Sequence, residues 1–337
     1  IKNFTISNHT EKAYRRVFYG SKNRSTMKKY ITIKDIKNIE HTVQEAIQLK
    51  KNPYQFENLG KNKTLVMLFF NASLRTRLST EKAAKSLGMN VMVLNIDDCW
   101  DLEYDNGTIM NLTKAEHIKE AANVISQYGD VIAIRIFPTL TNKEKDETEQ
   151  VLNSFVKYAT VPIVNMESAT AHPLQALADA ITISELKTTS RPKVVLTWAP
   201  HPKALPHAVA NSFIKIMKEI DVDLLITHPK HYELNSNITK DVPVSHNQEE
   251  ALKDADFVYA KNWSNYHDYG KIVSVDENWM LTNEKLGNAK FMHCLPVRRN
   301  VVVEDAVLDG EYSVVIEQAN NRTYAAQIVL KNILKTL

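Results

Sequence analysis

The 337-residue chain contains only two cysteines, Cys99 and Cys294, and only eight glycines. Two thiols cannot build a disulfide framework, so a reducing compartment, the cytoplasm, is the expected location. None of the glycines falls into a GxGxxG or GxxxxGK[ST] run, which removes the usual phosphate loops of dinucleotide-dependent dehydrogenases and P-loop kinases. No apolar run approaches the roughly 18 residues that a membrane helix needs. Repeats and low-complexity tracts are also lacking.

Charge of one sign is scarce as well. The formal charge is +3, but residues 1–26 carry six basic residues against Glu11 alone. Without them, 36 basic residues face 38 acidic ones, and no basic surface for nucleic acid is expected. The leader has neither a secretory apolar core nor helical periodicity. It reads as an extension outside the fold, with Met27 as the expected start and a basic transit peptide as the alternative. At 44% hydrophobic and 24% charged residues, the whole chain has the composition of a soluble globular protein long enough for two domains.

From about Ile33 helix-like and strand-like segments alternate. Strands are expected at Thr64–Phe70, Val91–Ile96, Val131–Phe137 and Val161–Asn165, with helices at Ile39–Leu49, Thr80–Leu87, Lys114–Gln127 and Lys143–Tyr158. After a connecting helix at Leu174–Lys187 the cycle repeats, with strands at Val194–Trp198, Leu224–Thr227, Phe257–Lys261 and Phe291–Cys294. The second cycle has helices at Leu205–Ile220 and near Glu249–Lys253, and Arg322–Leu337 reads as a closing helix. This order predicts an α/β protein of two doubly wound parallel-sheet domains, 27–188 and 189–321, with a cleft between them.

Phe69–Ser79, FFNASLRTRLS, is the segment richest in chemistry. An apolar strand gives way to small polar residues and arginines where a helix begins. Helix N-termini present open N–H groups and a partial positive charge, which attract anions. Hydroxyls at Ser73 and Thr76 and the Arg75 guanidinium make a candidate phosphate cradle, although a plain capped helix with surface arginines would read the same way. Arg135 lies in the apolar strand VIAIRIF, where an isolated arginine needs an anion or a carboxylate partner. Further candidates cluster at predicted strand ends: Glu167 and His172 in the first half, His201, Lys261 and Cys294 in the second. Open α/β sheets bind ligands there, and one cleft could collect them all.

Three segments in order, Ser73-Leu74-Arg75-Thr76-Arg77, His172-Pro173-Leu174-Gln175 and His293-Cys294-Leu295-Pro296 followed by Val297-Arg298-Arg299, resemble the signature set of the aspartate/ornithine carbamoyltransferases. The resemblance runs from about Met27 to the C-terminus and is greatest to the N-acylornithine branch. It implies a carbamoyl phosphate-binding domain at 27–188, closed by the 322–337 helix, and an acylornithine-binding domain at 189–321. Ser73, Leu74 through its backbone N–H, Arg75 and Thr76 would grip phosphate, with Arg135 near phosphate and carbonyl. His172 would donate to the carbonyl oxygen, and Gln175 would hold the carbamoyl amide. Cys294 and the Leu295 carbonyl would line the carbamoyl pocket, a binding role rather than that of a covalent nucleophile. Arg298 and Arg322 resemble further ligand-binding arginines, whereas Arg299 reads as a solvated charge. Trp100 would reach a neighbouring subunit's site, which implies a homotrimer.

Departures from the family pattern bear on the acceptor. Tyr259-Ala260-Lys261-Asn262-Trp263-Ser264-Asn265-Tyr266 has neither the acid nor the Ser-Met-Gly triplet with which ornithine enzymes grip a free α-amino acid. Lys261 would repel an α-ammonium and suits an acylated nitrogen beside a carboxylate. Glu167 and His201 match other acceptor contacts of the branch. Ala115 aligns where, in this branch, a glutamate excludes succinyl and a proline admits it. Alanine has neither bulk nor charge, so a succinyl group is expected over acetyl. The resemblance implies an ordered reaction within arginine biosynthesis, without metal or cofactor. Because Ala115 is not the branch's proline, transfer to N-acetylornithine is the first alternative; aspartate carbamoyltransferase and a non-catalytic binding protein of the same fold are the further competing readings.

Overall fold

A computed structural model describes residues 27–96, 99, 101–273 and 277–337. The expected 1–26 extension and Trp100 lie outside the described residues. The first sheet contains β1 (Thr64–Phe69), β2 (Asn90–Asn95), β5 (Val131–Arg135) and β6 (Ile163–Glu167), all parallel, in the spatial order β2-β1-β5-β6. Its helices are α1 (Ile39–Lys51), α2 (Arg75–Ser86), α3 (Ile118–Tyr128), α4 (Lys143–Glu147) and α5 (Gln150–Tyr158). β1 and β5 are dominated by apolar residues, and β6 is buried along its whole length despite Asn165 and Glu167, because helices cover both faces of these strands. β2 is an edge strand and leaves Met92 and Leu94 exposed. A small parallel pair, β3 (Leu102–Glu103) and β4 (Glu116–His117), sits beside it in sequence.

The second sheet contains β7 (Lys193–Trp198), β8 (Asp223–Thr227), β9 (Val244–Ser245), β10 (Phe257–Lys261) and β11 (Lys290–Met292), ordered β11-β10-β7-β8-β9. All of its pairings are parallel too. Both sheets therefore reverse their winding direction next to their first strand, between β1 and β5 and between β7 and β10. Side chains leaving the carboxyl ends of those four strands face a crevice, the usual ligand position in such sheets.

Helix α6 (Pro173–Leu186) joins the halves and is buried from Pro173 to Ile183, so its apolar character runs all round. It packs with α7 (Ala208–Met217), which follows β7. Short helices follow: α8 (Ser236–Thr239), α9 (Gln248–Leu252), α10 (Asn283–Leu286) and α11 (Asp305–Leu308). The last helix, α12 (Val315–Leu334), returns to the first half. Its Lys331 Nζ lies 3.1 Å from Glu45 Oε1, and Asn321 Nδ2 donates to Thr182 Oγ1 at 3.0 Å and to Glu185 Oε2 at 2.8 Å. One apolar core accordingly spans both halves, with Leu177, Phe213 and Val329 in the same cluster.

Several boundaries differ from the sequence expectation. The closing helix starts at Val315 rather than Arg322, since Val315, Gln318 and Asn321 are already buried on its inner face. The helix expected over Lys114–Gln127 begins at Ile118, because Glu116 and His117 pair as a strand instead. Lys143–Tyr158 is not one helix. It breaks at Glu149, which adopts a left-handed φ of 47° and points its carboxylate at the 168–170 loop. There Oε1 accepts from Ser168 Oγ at 2.8 Å, Thr170 N at 2.6 Å and Thr170 Oγ1 at 2.7 Å.

Candidate active site

Helix α2 begins at Arg75, with Leu74 as N-cap and no capping side chain, so the N–H groups of its first turn stay open to an anion. Arg75 is half-buried, and its Nε is enclosed with no partner among the described residues. Burial lowers its pKa, Cys294 and Glu167 raise it, and Arg135 lowers it further. Arg75 is therefore within electrostatic reach of groups from β5, β6 and the β11 loop. Arg77, by contrast, stacks 4.8 Å from the Phe69 ring and bonds Asn95.

Arg135 ends β5 and is buried. Its Nε donates to Glu167 Oε2 at 3.1 Å, and its Nη1 donates to the carbonyls of Asn71 at 3.1 Å and Ala72 at 2.7 Å. The guanidinium thus fixes the strand-to-helix loop that leads into Ser73. Arg135 has the carboxylate partner that an arginine in such a strand requires, and it remains at the crevice. Glu167 is buried as well. Desolvation raises its pKa, opposed by Arg135, Arg322 and Lys261.

His172 caps α6 with its backbone N–H on Ser212 Oγ of α7 at 2.8 Å. Its Nε2 stands 3.5 Å from Glu167 Oε2, and its Nδ1 is buried without a partner among the described residues. Burial, then Arg322, Arg135 and Lys261, hold its pKa well below the usual value, so the imidazole is neutral. One turn on, Gln175 Oε1 accepts from Arg322 Nη1 at 2.7 Å, and Arg322 Nη2 donates to Thr76 Oγ1 at 2.6 Å. Arg322, on α12, thereby ties the first turn of α2 to α6.

From the second half, Lys261 ends β10 and is buried, with no hydrogen bond or ion pair from its ammonium to any of the described residues. It bears on the pKa values of Glu167, His172, His201, His293 and Cys294, which places its charge in their midst. His201 follows β7. Its Nε2 accepts from Arg298 Nε at 3.2 Å, which leaves Nδ1–H to donate to the Lys203 carbonyl at 2.8 Å. His201 borders a cavity of about 170 Å³ together with Trp198, Tyr232, Trp263 and Lys271. The Cys294 thiol is pushed up in pKa, by burial first, which disfavours the thiolate. Leu295 adopts φ 55° and precedes a cis proline, with its N–H on His293 Nδ1 at 2.8 Å.

The fold thus gathers Arg75, Thr76, Arg135, Glu167, His172, Gln175, Lys261, Cys294 and Arg322 around one crevice whose cations outnumber its acids. Ala115 is exposed and bonded through its N–H to the Asp101 carbonyl at 3.2 Å; no side-chain bond joins it to this group among the described residues. Arg298 is exposed and enters only through His201, and Arg299 is an outer charge paired with Asp305 and Asp309. Two buried members escaped the sequence reading. Asp179 accepts from Gln175 Nε2 and from Gln318 Nε2, each at 2.7 Å, and Gln318 Oε1 accepts from His293 N at 2.9 Å. Asp179 lies four residues after Gln175, the spacing that puts two side chains on one helix face, and that was its one sequence signal.

Among the described residues no group of three or more His, Cys, Asp or Glu is arranged to hold a metal ion, and no helix is long and apolar enough to cross a membrane. Residues 28–185 match the carbamoyl-P binding domain of aspartate/ornithine carbamoyltransferases, and residues 206–333 match their Asp/Orn binding domain. The N-succinylornithine carbamoyltransferase of Bacteroides fragilis is 47% identical over 92% of this chain and 100% of its own length. The N-acetylornithine carbamoyltransferase of Xylella fastidiosa is 37% identical over 85% of this chain and 93% of its own. The crystal structure of an acetylornithine transcarbamylase complexed with acetylcitrulline superposes with a TM-score of 0.85 at 34% identity, covering 91% of this chain and 99% of that one. The chain belongs to the aspartate/ornithine carbamoyltransferase family and is a carbamoyltransferase.

Proposed function

We propose that the enzyme moves the carbamoyl group of carbamoyl phosphate to the δ-amine of N2-succinyl-L-ornithine, giving N-succinylcitrulline and phosphate in arginine biosynthesis. The observation that carries this reading is Lys261, a buried ammonium that acts on Glu167 only at longer range and makes no ion pair within hydrogen-bonding distance among the described residues, where the acceptor's α-substituents would lie. Free ornithine would bring a second cation beside it. An acylated α-nitrogen is neutral, and the adjacent carboxylate would pair with the lysine. Ala115 favours succinyl over acetyl, because it offers neither the bulk nor the charge that would reject a second carboxylate. The 47% identity to a protein named for succinylornithine supports the same choice.

In this reading residues 27–188 hold the donor, residues 189–321 hold the acceptor, and the C-terminal helix closes the donor side. Carbamoyl phosphate binds first. Ser73, the Leu74 N–H, Arg75 and Thr76 take its phosphate, while Arg135 and Arg322 add positive charge. The neutral imidazole of His172 donates to the carbonyl oxygen, Gln175 and the Leu295 carbonyl hold the carbamoyl amide, and Cys294 lines the pocket. Glu167, His201, Lys261 and Arg298 receive the acylornithine. Closure excludes water, the deprotonated δ-amine attacks, and phosphate leaves as a suitable proton acceptor. Orientation and preorganised charge supply most of the acceleration. The enzyme would act in the cytoplasm as a homotrimer, with Trp100 completing a neighbouring site.

The test is a carbamoyl phosphate-dependent assay with ornithine, N-acetylornithine and N-succinylornithine. The reading requires the highest kcat/KM with the succinyl compound. Preference for the acetyl compound would move the assignment within the branch, and preference for free ornithine would overturn the argument from Lys261.

A further inference from the structure

Six hydrogen bonds run in an unbroken buried line from the phosphate-grip turn to the segment after β11. Thr76 Oγ1 accepts from Arg322 Nη2 at 2.6 Å, and Arg322 Nη1 donates to Gln175 Oε1 at 2.7 Å. Gln175 Nε2 and Gln318 Nε2 both donate to Asp179 Oδ1 at 2.7 Å. Gln318 Oε1 then accepts from His293 N at 2.9 Å, and His293 Nδ1 accepts from Leu295 N at 2.8 Å. All members except Leu295 are buried, so water cannot replace a broken link.

The line has a direction, and one atom sets it. A primary amide has a donor end and an acceptor end, and its orientation follows from its partners. Asp179 Oδ1 can only accept, so it turns the NH2 ends of both glutamines inward and their oxygens outward. Gln175 then offers oxygen to Arg322, and Gln318 offers oxygen to the His293 backbone. Were Gln175 reversed, its NH2 would face the guanidinium and its oxygen would face Asp179, a donor against a donor and an acceptor against an acceptor.

We propose that Asp179 is a positioning residue for carbamoyl transfer. It holds Gln175, Arg322 and the 293–295 segment in the orientation that presents the amide-recognising groups to the carbamoyl moiety. Asp179 Oδ2 is buried with no partner among the described residues, and burial pushes the carboxyl up to about 7. Both hydrogen bonds fall on Oδ1, so neither depends on whether Oδ2 is protonated.

The inference rests on the assignment of Gln175 and Leu295 to carbamoyl recognition, so the experiment separates the two. Steady-state kinetics and thermal melting are measured for the full chain carrying Asp179→Asn, Asp179→Leu, Gln318→Leu or Gln175→Leu. Asp179→Asn keeps an accepting oxygen at Oδ1 and is expected to stay within about threefold of the parent in KM for carbamoyl phosphate. Asp179→Leu removes it and is expected to raise that KM at least about tenfold, with the acceptor KM changed far less. Gln318→Leu breaks only the branch to His293 and carries the same expectation if Asp179→Leu fails to fold. Equal losses in the Asn and Leu variants, or a lowered melting temperature with an unchanged donor KM, would overturn the positioning role. If Gln175→Leu itself leaves the donor KM unchanged, the site assignment fails rather than this inference alone.

Discussion

Replacing Arg135 with methionine separates its structural bonds from the part proposed for it in the reaction. The substitution keeps an unbranched apolar stem in β5 but removes the ion pair with Glu167 at 3.1 Å and both bonds to the 71–72 carbonyls. Breaking one side of a buried pair typically costs about 3–5 kcal/mol, because the remaining charge is stranded. Arg322 and Lys261 still attract Glu167, which argues for the lower part of that range. An unfolding entropy of about 2 cal/mol/K per residue then gives a melting temperature lower by about 4–6 °C. Activity should fall much further, by about 10²–10³ in kcat, as for other donors aimed at a developing oxyanion. The assays are thermal unfolding and formation of N-succinylcitrulline. Adding Glu167→Leu removes the stranded carboxylate, so the double variant should regain stability without regaining activity. Recovery of both would refute the claim that the Arg135 charge serves the reaction, and an unchanged melting temperature in the single variant would refute the energetic argument.

Arg75→Ala should cost about 2–4 kcal/mol of transition-state stabilisation, and a loss below tenfold in kcat/KM would count against its place in the phosphate grip. Ala115→Glu should lower kcat/KM for N-succinylornithine at least about tenfold while sparing N-acetylornithine, since only the former brings a second carboxylate; equal effects on both would contradict the specificity argument. His172 and His293 are held neutral by burial, so the native state binds fewer protons there than the unfolded chain. Stability should therefore fall as pH drops below about 6.5, the unfolded histidine value, and His172→Asn should flatten that acid limb in melting curves from pH 8 to 5. A parallel profile in the variant would show that His172 does not carry the effect.

The alternation of apolar and helical segments predicted both parallel sheets, since β1, β5, β7 and β10 are short runs dominated by apolar residues, as strands buried on both faces are. The convergence of Arg75, Arg135, His172, Lys261 and Cys294 was legible for a related reason. Doubly wound sheets direct their strand ends to one side, so residues placed after strands meet. What escaped depended on tertiary partners. Glu149 breaks a helix that its local sequence favours, because its carboxylate is needed by the 168–170 loop. Val315 begins the last helix a full two turns early, since its inner face finds a core no local pattern announces. Gln318 carried no signal at all: its role comes from lying between Asp179 and the His293 backbone, which are far apart in sequence.

A crystal structure of the protein with bound carbamoyl phosphate tests the central claim most directly. The account predicts the phosphate at the first turn of α2, within hydrogen-bonding distance of the Arg75 and Thr76 groups, and the carbonyl oxygen beside the imidazole of His172. Carbamoyl phosphate seated away from α2, with Arg75 and Arg135 turned to separate surfaces, would contradict it.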